Sequence, residues 1–137
     1  MAQPVAPQRP LLARFTDAWP VLGGGLLGST ARGIVATLAP ITSGTFPVAT
    51  LLVNLTGSFL LGLFLARRER AVAPRWSLRF WAIGALGSFT TFSAFSLEVF
   101  QLIETGELAV AIGYVVASLW GGLAAALAGE RLGGTAG

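Results

Sequence analysis

An all-α membrane protein with four transmembrane helices, the third of them broken, is the fold class that this sequence predicts. Three observations predict it. Of the 137 residues, 54% are hydrophobic and only 11% are charged, whereas soluble domains carry about a quarter charged residues. The apolar residues fall into four stretches, each of roughly 20 residues, which is the length that crosses a hydrocarbon core of about 30 Å at about 1.5 Å per residue. The third stretch holds a segment, Gly84 to Glu98, with five hydroxyl side chains and two glycines. Irregular polar backbone survives at membrane depth only where protein or a water-filled cavity surrounds it, so this segment is where a site belongs.

In chain order, residues 1–18 hold Pro4, Pro7, Pro10, Arg9 and Arg14 and lack the compact apolar run of a signal peptide, so they read as an N-terminal tail. Trp19 to Ala39 is the first helix. Gly24, Gly28 and Arg32 follow at i+4, beside Gly25, Ser29 and Gly33, and small residues at this spacing let another helix approach closely. Arg32 is costly inside a span, by roughly 2.5 to 3.5 kcal/mol. It either snorkels to an interface or stays as an anchor or an anion attractor. Pro40 to Pro47 is a turn-rich loop and Pro47 to Ala66 the second helix, on which Thr50, Asn54, Ser58 and Gly62 form a polar or bare stripe at i+4. The Asn54 amide needs partners in hydrocarbon, a need that helix packing and a binding site both meet.

Arg67 to Arg79 reads as a basic loop and Phe80 to Ile103 as the third helix. Phe89, Phe92 and Phe95 recur there at i+3, a spacing that suits packing. A ring's edge is the positive part of its quadrupole, so phenyl edges beside hydroxyl and amide donors also suit a route for a small anion. The glycines that lead into Ser88 to Thr91, Gly84 and Gly87, favour a helix interruption, whose freed carbonyls are hard oxygen ligands for an alkali cation. After a tight Glu104 to Glu107 turn, the fourth helix runs from Leu108 to Ala128, with Tyr114, Ser118 and Gly122 at i+4 beside Gly121, Ala125 and Gly129. Residues 19–130 make up one four-helix domain and 131–137 a C-terminal tail.

The residue types that are missing exclude whole function classes. There is no Cys, His or Lys, hence no disulfide, thiolate, imidazole base, Schiff base or common zinc site. The acids are Asp17, Glu69, Glu98, Glu104, Glu107 and Glu130, mostly at helix ends, so paired carboxylates have little to build on and an enzyme is not expected. All nine basic residues are Arg and flank apolar segments. Membrane lipid is therefore the expected surrounding and nucleic acid is not an expected partner. Eight of the arginines collect on the side of the two termini, and the opposite loops have none, which places the termini in the cytoplasm by the positive-inside rule.

Gly28-Ser29-Thr30-Ala31-Arg32, Val53-Asn54-Leu55-Thr56-Gly57-Ser58-Phe59 and Gly87-Ser88-Phe89-Thr90-Thr91-Phe92-Ser93-Ala94-Phe95-Ser96-Leu97-Glu98 resemble the signature segments of the Fluc (CrcB-type) fluoride channels. Departures are Gly33 in place of an aromatic, Ser88 in place of a common glycine, and Gly122 where some members carry a hydroxyl. The resemblance implies a multi-pass protein of the bacterial inner membrane that exports toxic cytoplasmic fluoride passively. It implies an antiparallel, dual-topology homodimer with two fluoride pathways. Asn54, Phe92 and Phe95 would line them, with Thr50, Ser93, Tyr114 and Ser118 as further polar lining. A structural sodium ion at the dimer interface would be held by the backbone carbonyls of Gly87 and Thr90. The one-sided arginines pull against dual topology, and an oppositely oriented paralogue is the other way to build the pair. A proton-coupled small multidrug exporter has similar length, but it needs a buried carboxylate in the first helix, which is absent. An inert assembly subunit leaves Asn54 and the polar third helix without a purpose.

Overall fold

The computed structural model describes residues 18–39, 44–71 and 73–134. The expected N-terminal tail apart from Ala18, part of the first loop and residues 135–137 lie outside them. Helix α1 is Trp19–Leu38, opened by Pro20 in its first turn, where a missing N–H costs nothing. Helix α2 is Val48–Arg70. The third span, Arg75–Glu104, is two helices. The first, α3 (residues 75–89), starts with Arg75–Ser77, widens into π-type turns over Leu78–Leu86 and ends with Gly87–Phe89. The second, α4, is Phe92–Glu104. Helix α5 is Leu108–Gly134. All four spans are long and apolar enough to cross a bilayer, and the chain is a multi-pass membrane protein.

The basic stretch 67–79 is mostly helical, unlike the loop expected from its composition. Arg67, Arg68 and Arg70 complete the last turn of α2, because arginine is a good helix former and its charge suits a helix C-terminus. Arg75 then opens α3 directly after Pro74. α5 likewise continues past Ala128 to Gly134.

The spans associate as two parallel pairs. α1 lies on α3, where a Cβ added at Gly24 would overlap the Phe80 carbonyl and one at Gly28 the Ala85 carbonyl. α2 lies on α5 by the same means, with Gly62 against the Ala126 carbonyl and Gly129 against the Phe59 carbonyl. Backbones in such contact gain van der Waals packing that lipid cannot supply. Between the pairs a small core of Leu102, Ala111 and Tyr114 packs with Leu51, Phe95 and Val99. At the arginine-rich end the Trp19 and Trp76 rings stack at 6.5 Å. At the other end α4 stops at Gly106, whose φ of +83° suits glycine alone. There the Gly106 and Glu107 N–H groups return to the Ile103 and Leu102 carbonyls at 3.1 and 2.8 Å, closing a Schellman cap.

Candidate functional site

The third span breaks at two residues. Thr90 has ψ 157° and Thr91 has φ −148° and ψ 118°, both extended. The Thr91 N–H, which a continuous helix would direct to Gly87, is accepted by Asn54 Oδ1 at 2.8 Å, and Asn54 Nδ2 donates to the Thr91 carbonyl at 3.1 Å. One amide from α2 thus clamps both backbone groups of Thr91. Thr91 Oγ1 accepts from the Ala94 N–H at 3.1 Å and caps α4. Arg32 Nε donates to the Ser88 carbonyl at 3.1 Å, so this arginine anchors the break from α1 and does not snorkel away. A Cβ at Gly57 would overlap the Thr90 methyl, hence the glycine lets the break sit against α2. After these substitutions the Gly87 and Thr90 carbonyls have lost the helical donors Thr91 and Ala94, both of which bond side chains.

A cavity of about 320 Å³ opens beside the break and brings together six of the residues singled out from the sequence: Asn54, Gly87, Thr90, Phe92, Phe95 and Ser118. Phe92 is 79% exposed, and its ring lies 5.7 Å from that of Phe95, which in turn lies 5.2 Å from Tyr114. Ser118 Oγ is buried and makes no hydrogen bond among the described residues, so its hydroxyl is a spare donor beside the cavity. Ser58 also lines the cavity, and its Oγ is 3.8 Å from where a Cβ on Gly122 would stand. The hydroxyl that α5 lacks at Gly122 is therefore supplied at that level by α2. Among the described residues no carboxylate lines this cavity.

Thr50 and Tyr114 lie elsewhere. Both donate to Glu98, Thr50 Oγ1 to Oε1 at 2.5 Å and Tyr114 OH to Oε2 at 2.6 Å, and all three are buried. They form a polar knot across α2, α4 and α5, with the Phe95 ring between Tyr114 and Phe92. Ser93 is exposed, with its Oγ 3.2 Å from Thr91 Oγ1, and does not line the cavity. Sequence reasoning gave Thr91 and Glu98 no place among the site residues, yet each is the partner of a polar residue on the α2 stripe. The legible signal was chemical: Glu98 is an acid that falls within a span and so needs hydroxyl partners, which Thr50 and Tyr114 supply. Among the described residues no group of three or more His, Cys, Asp or Glu could hold a metal, and the backbone oxygens that the break frees are those of Gly87 and Thr90.

A protein-family model described as CrcB-like protein, Camphor Resistance (CrcB), matches residues 19–130, from the start of α1 almost to the end of α5. The chain belongs to the CrcB family. Its relatives include a protein of Deinococcus radiodurans named fluoride-specific ion channel FluC, 44% identical over 84% of this chain and 92% of that one. Fluoride-specific ion channel FluC 1 of Nitrobacter hamburgensis is 41% identical, covering 87% and 96%, and FluC of Thermus thermophilus is 43% identical, covering 81% and 90%. This CrcB chain therefore matches those relatives over the spans that build the break and its cavity.

Proposed function

We propose that this chain forms a fluoride-selective channel through which cytoplasmic fluoride leaves a bacterial cell passively, without any enzymatic step. The observation that carries this is the cavity at the break, lined among the described residues by an amide, hydroxyls and phenyl rings and by no carboxylate. Relatives named as fluoride channels support it. Fluoride is small and strongly hydrated, so a path must replace its water with several donors yet release the ion. Ser118 and Ser58 offer hydroxyls, and Asn54 keeps one of its two amide hydrogens beyond the Thr91 clamp. The edges of Phe92 and Phe95 add weak positive potential without a full charge. A sodium ion on the Gly87 and Thr90 carbonyls fits the oxygens that the break frees and would supply a fixed positive charge beside the path. In a multidrug exporter the exchanging acid would be Glu98, but both of its oxygens are engaged by hydroxyls.

The exposed face of Phe92 leaves the path open on one side, so we infer that a second subunit closes it, as an antiparallel copy or as an oppositely oriented paralogue. Among the described residues the fold keeps Arg67, Arg68, Arg70, Arg75 and Arg131 at the ends of α2, α3 and α5 that lie together, with Gly134 of α5 close to Arg70 of α2. Cysteine labelling decides between the two arrangements, since the chain has no native Cys. With Ser43→Cys and Thr135→Cys made separately, a membrane-impermeant thiol reagent on intact cells labels both if the chain inserts in both orientations. Labelling at Ser43→Cys alone requires a different partner chain.

The functional test is efflux from liposomes containing the purified protein. Fluoride release at channel-like rates with essentially no chloride release is the expected result. Equal release of both anions, or release of neither, overturns the reading.

A further inference from the structure

A second cavity, of about 430 Å³, lies where α1, α2 and α3 meet, on the seam between the two helix pairs. Leu60 and Leu63 of α2, Ala31 of α1 and Phe89 and Trp81 of α3 form its walls. Among the described residues its only charged lining residue is Arg67, which is exposed in the last turn of α2. Thr56, which also lines it, and Arg67 stand eleven residues apart on α2, or about 16 Å at a rise of about 1.5 Å per residue. That is about the depth of one leaflet, half of a hydrocarbon core of roughly 30 Å. The charged end coincides with the membrane interface, marked by Arg68 and Arg70 in the same turn and by the stacked Trp19 and Trp76.

We propose that this groove is a site for one anionic phospholipid of the leaflet on the arginine-rich side, with an acyl chain between the helix pairs and the phosphate paired with Arg67. An apolar groove one leaflet deep that ends in a guanidinium matches the two parts of such a lipid in the order they occur along the bilayer normal. A guanidinium binds phosphate through paired N–H donors, and a basic pocket between transmembrane helices at the headgroup level selects negatively charged lipid. The inference rests on the membrane-spanning fold and the groove, and it is independent of which ion the channel carries.

Trp81 on the groove wall is the reporter. A variant carrying Trp19→Phe, Trp76→Phe and Trp120→Phe leaves Trp81 as the sole tryptophan. It is reconstituted into vesicles of phosphatidylcholine and phosphatidylglycerol in which one lipid or the other carries brominated acyl chains. At equal mole fraction, brominated phosphatidylglycerol quenches Trp81 with a preference of about fivefold over brominated phosphatidylcholine, the ratio that one basic residue near the surface gives. Arg67→Gln removes the preference, and Ala31→Phe, which fills the groove, lowers quenching by both lipids. Equal quenching by the two lipids in the parent overturns the proposal, and so does no quenching by either, which would mean that protein covers the groove. If the triple variant does not fold, native mass spectrometry of the otherwise unaltered protein decides: phosphatidylglycerol retained by the parent and lost from Arg67→Gln supports the site. Equal retention by both contradicts it.

Discussion

The two halves of α2 hold their neighbours by different means. In the half toward Arg70, Phe59 and Gly62 meet Gly129 and Ala126 of α5 backbone to backbone, with no room for a single Cβ at either glycine. In the half toward Val48, Thr50 and Asn54 reach across to Glu98 and Thr91 through hydrogen bonds of 2.5 to 3.1 Å. The first half is sensitive to volume and indifferent to hydrogen-bonding chemistry. The second depends on its donors and acceptors as well as on the bare Gly57 beneath the Thr90 methyl, because a peptide opened inside a membrane has no water to fall back on. Scaffold and site are thus separated along one helix, and the site is placed where backbone regularity has been given up.

Substitutions that exchange the two kinds of change sharpen this contrast. The largest effect belongs to Gly129→Leu, which forces α5 off the Phe59 carbonyl. Overpacking costs about 1 to 3 kcal/mol even where side chains can adjust, and here rigid backbone must move. Most of the protein is expected to lose its monodisperse peak in detergent chromatography. Gly113→Ala on the same helix, where nothing lies within 4 Å of the added Cβ, should leave that peak unchanged. A normal peak for Gly129→Leu would break the comparison.

A smaller effect on folding is expected from Asn54→Leu, which keeps the side-chain size and removes both bonds to Thr91. Leaving the Thr91 N–H and carbonyl unpaired costs about 1 to 3 kcal/mol each. The variant should assemble with a lowered thermal transition and lose its fluoride flux, whereas retention of both stability and flux would show that the clamp is dispensable.

The glycine half was readable in the sequence because close approach depends on residue size alone, and Gly24, Gly28 and Gly129 stood on recognisable small stripes. The break was readable as a place, from the hydroxyls and glycines around Ser88, but its partners were not. A polar residue on one helix states a need without naming who meets it, so Asn54 alone marks a site or a packing contact, and only the fold shows Thr91 as its partner. Thr50 and Tyr114 were placed with the pathway by resemblance, and the fold turns them toward Glu98. The helical ends around Arg67 to Arg79 were misjudged because charge density was taken for a loop, where it was a helix terminus meeting the headgroup level.

The central claim is that the rings beside the break carry the anion. Phe92 tests it most directly, since a side chain 79% exposed contributes little to folding within one chain. Fluoride efflux from liposomes is measured for the wild type and for Phe92→Ile at matched protein content, with the assembled fraction checked by chromatography. Normal assembly and a flux lowered by about tenfold or more are expected, the change that follows when about 1.4 kcal/mol of stabilisation of the passing ion is lost. Wild-type flux through Phe92→Ile would contradict it and reduce the aromatic stripe to packing.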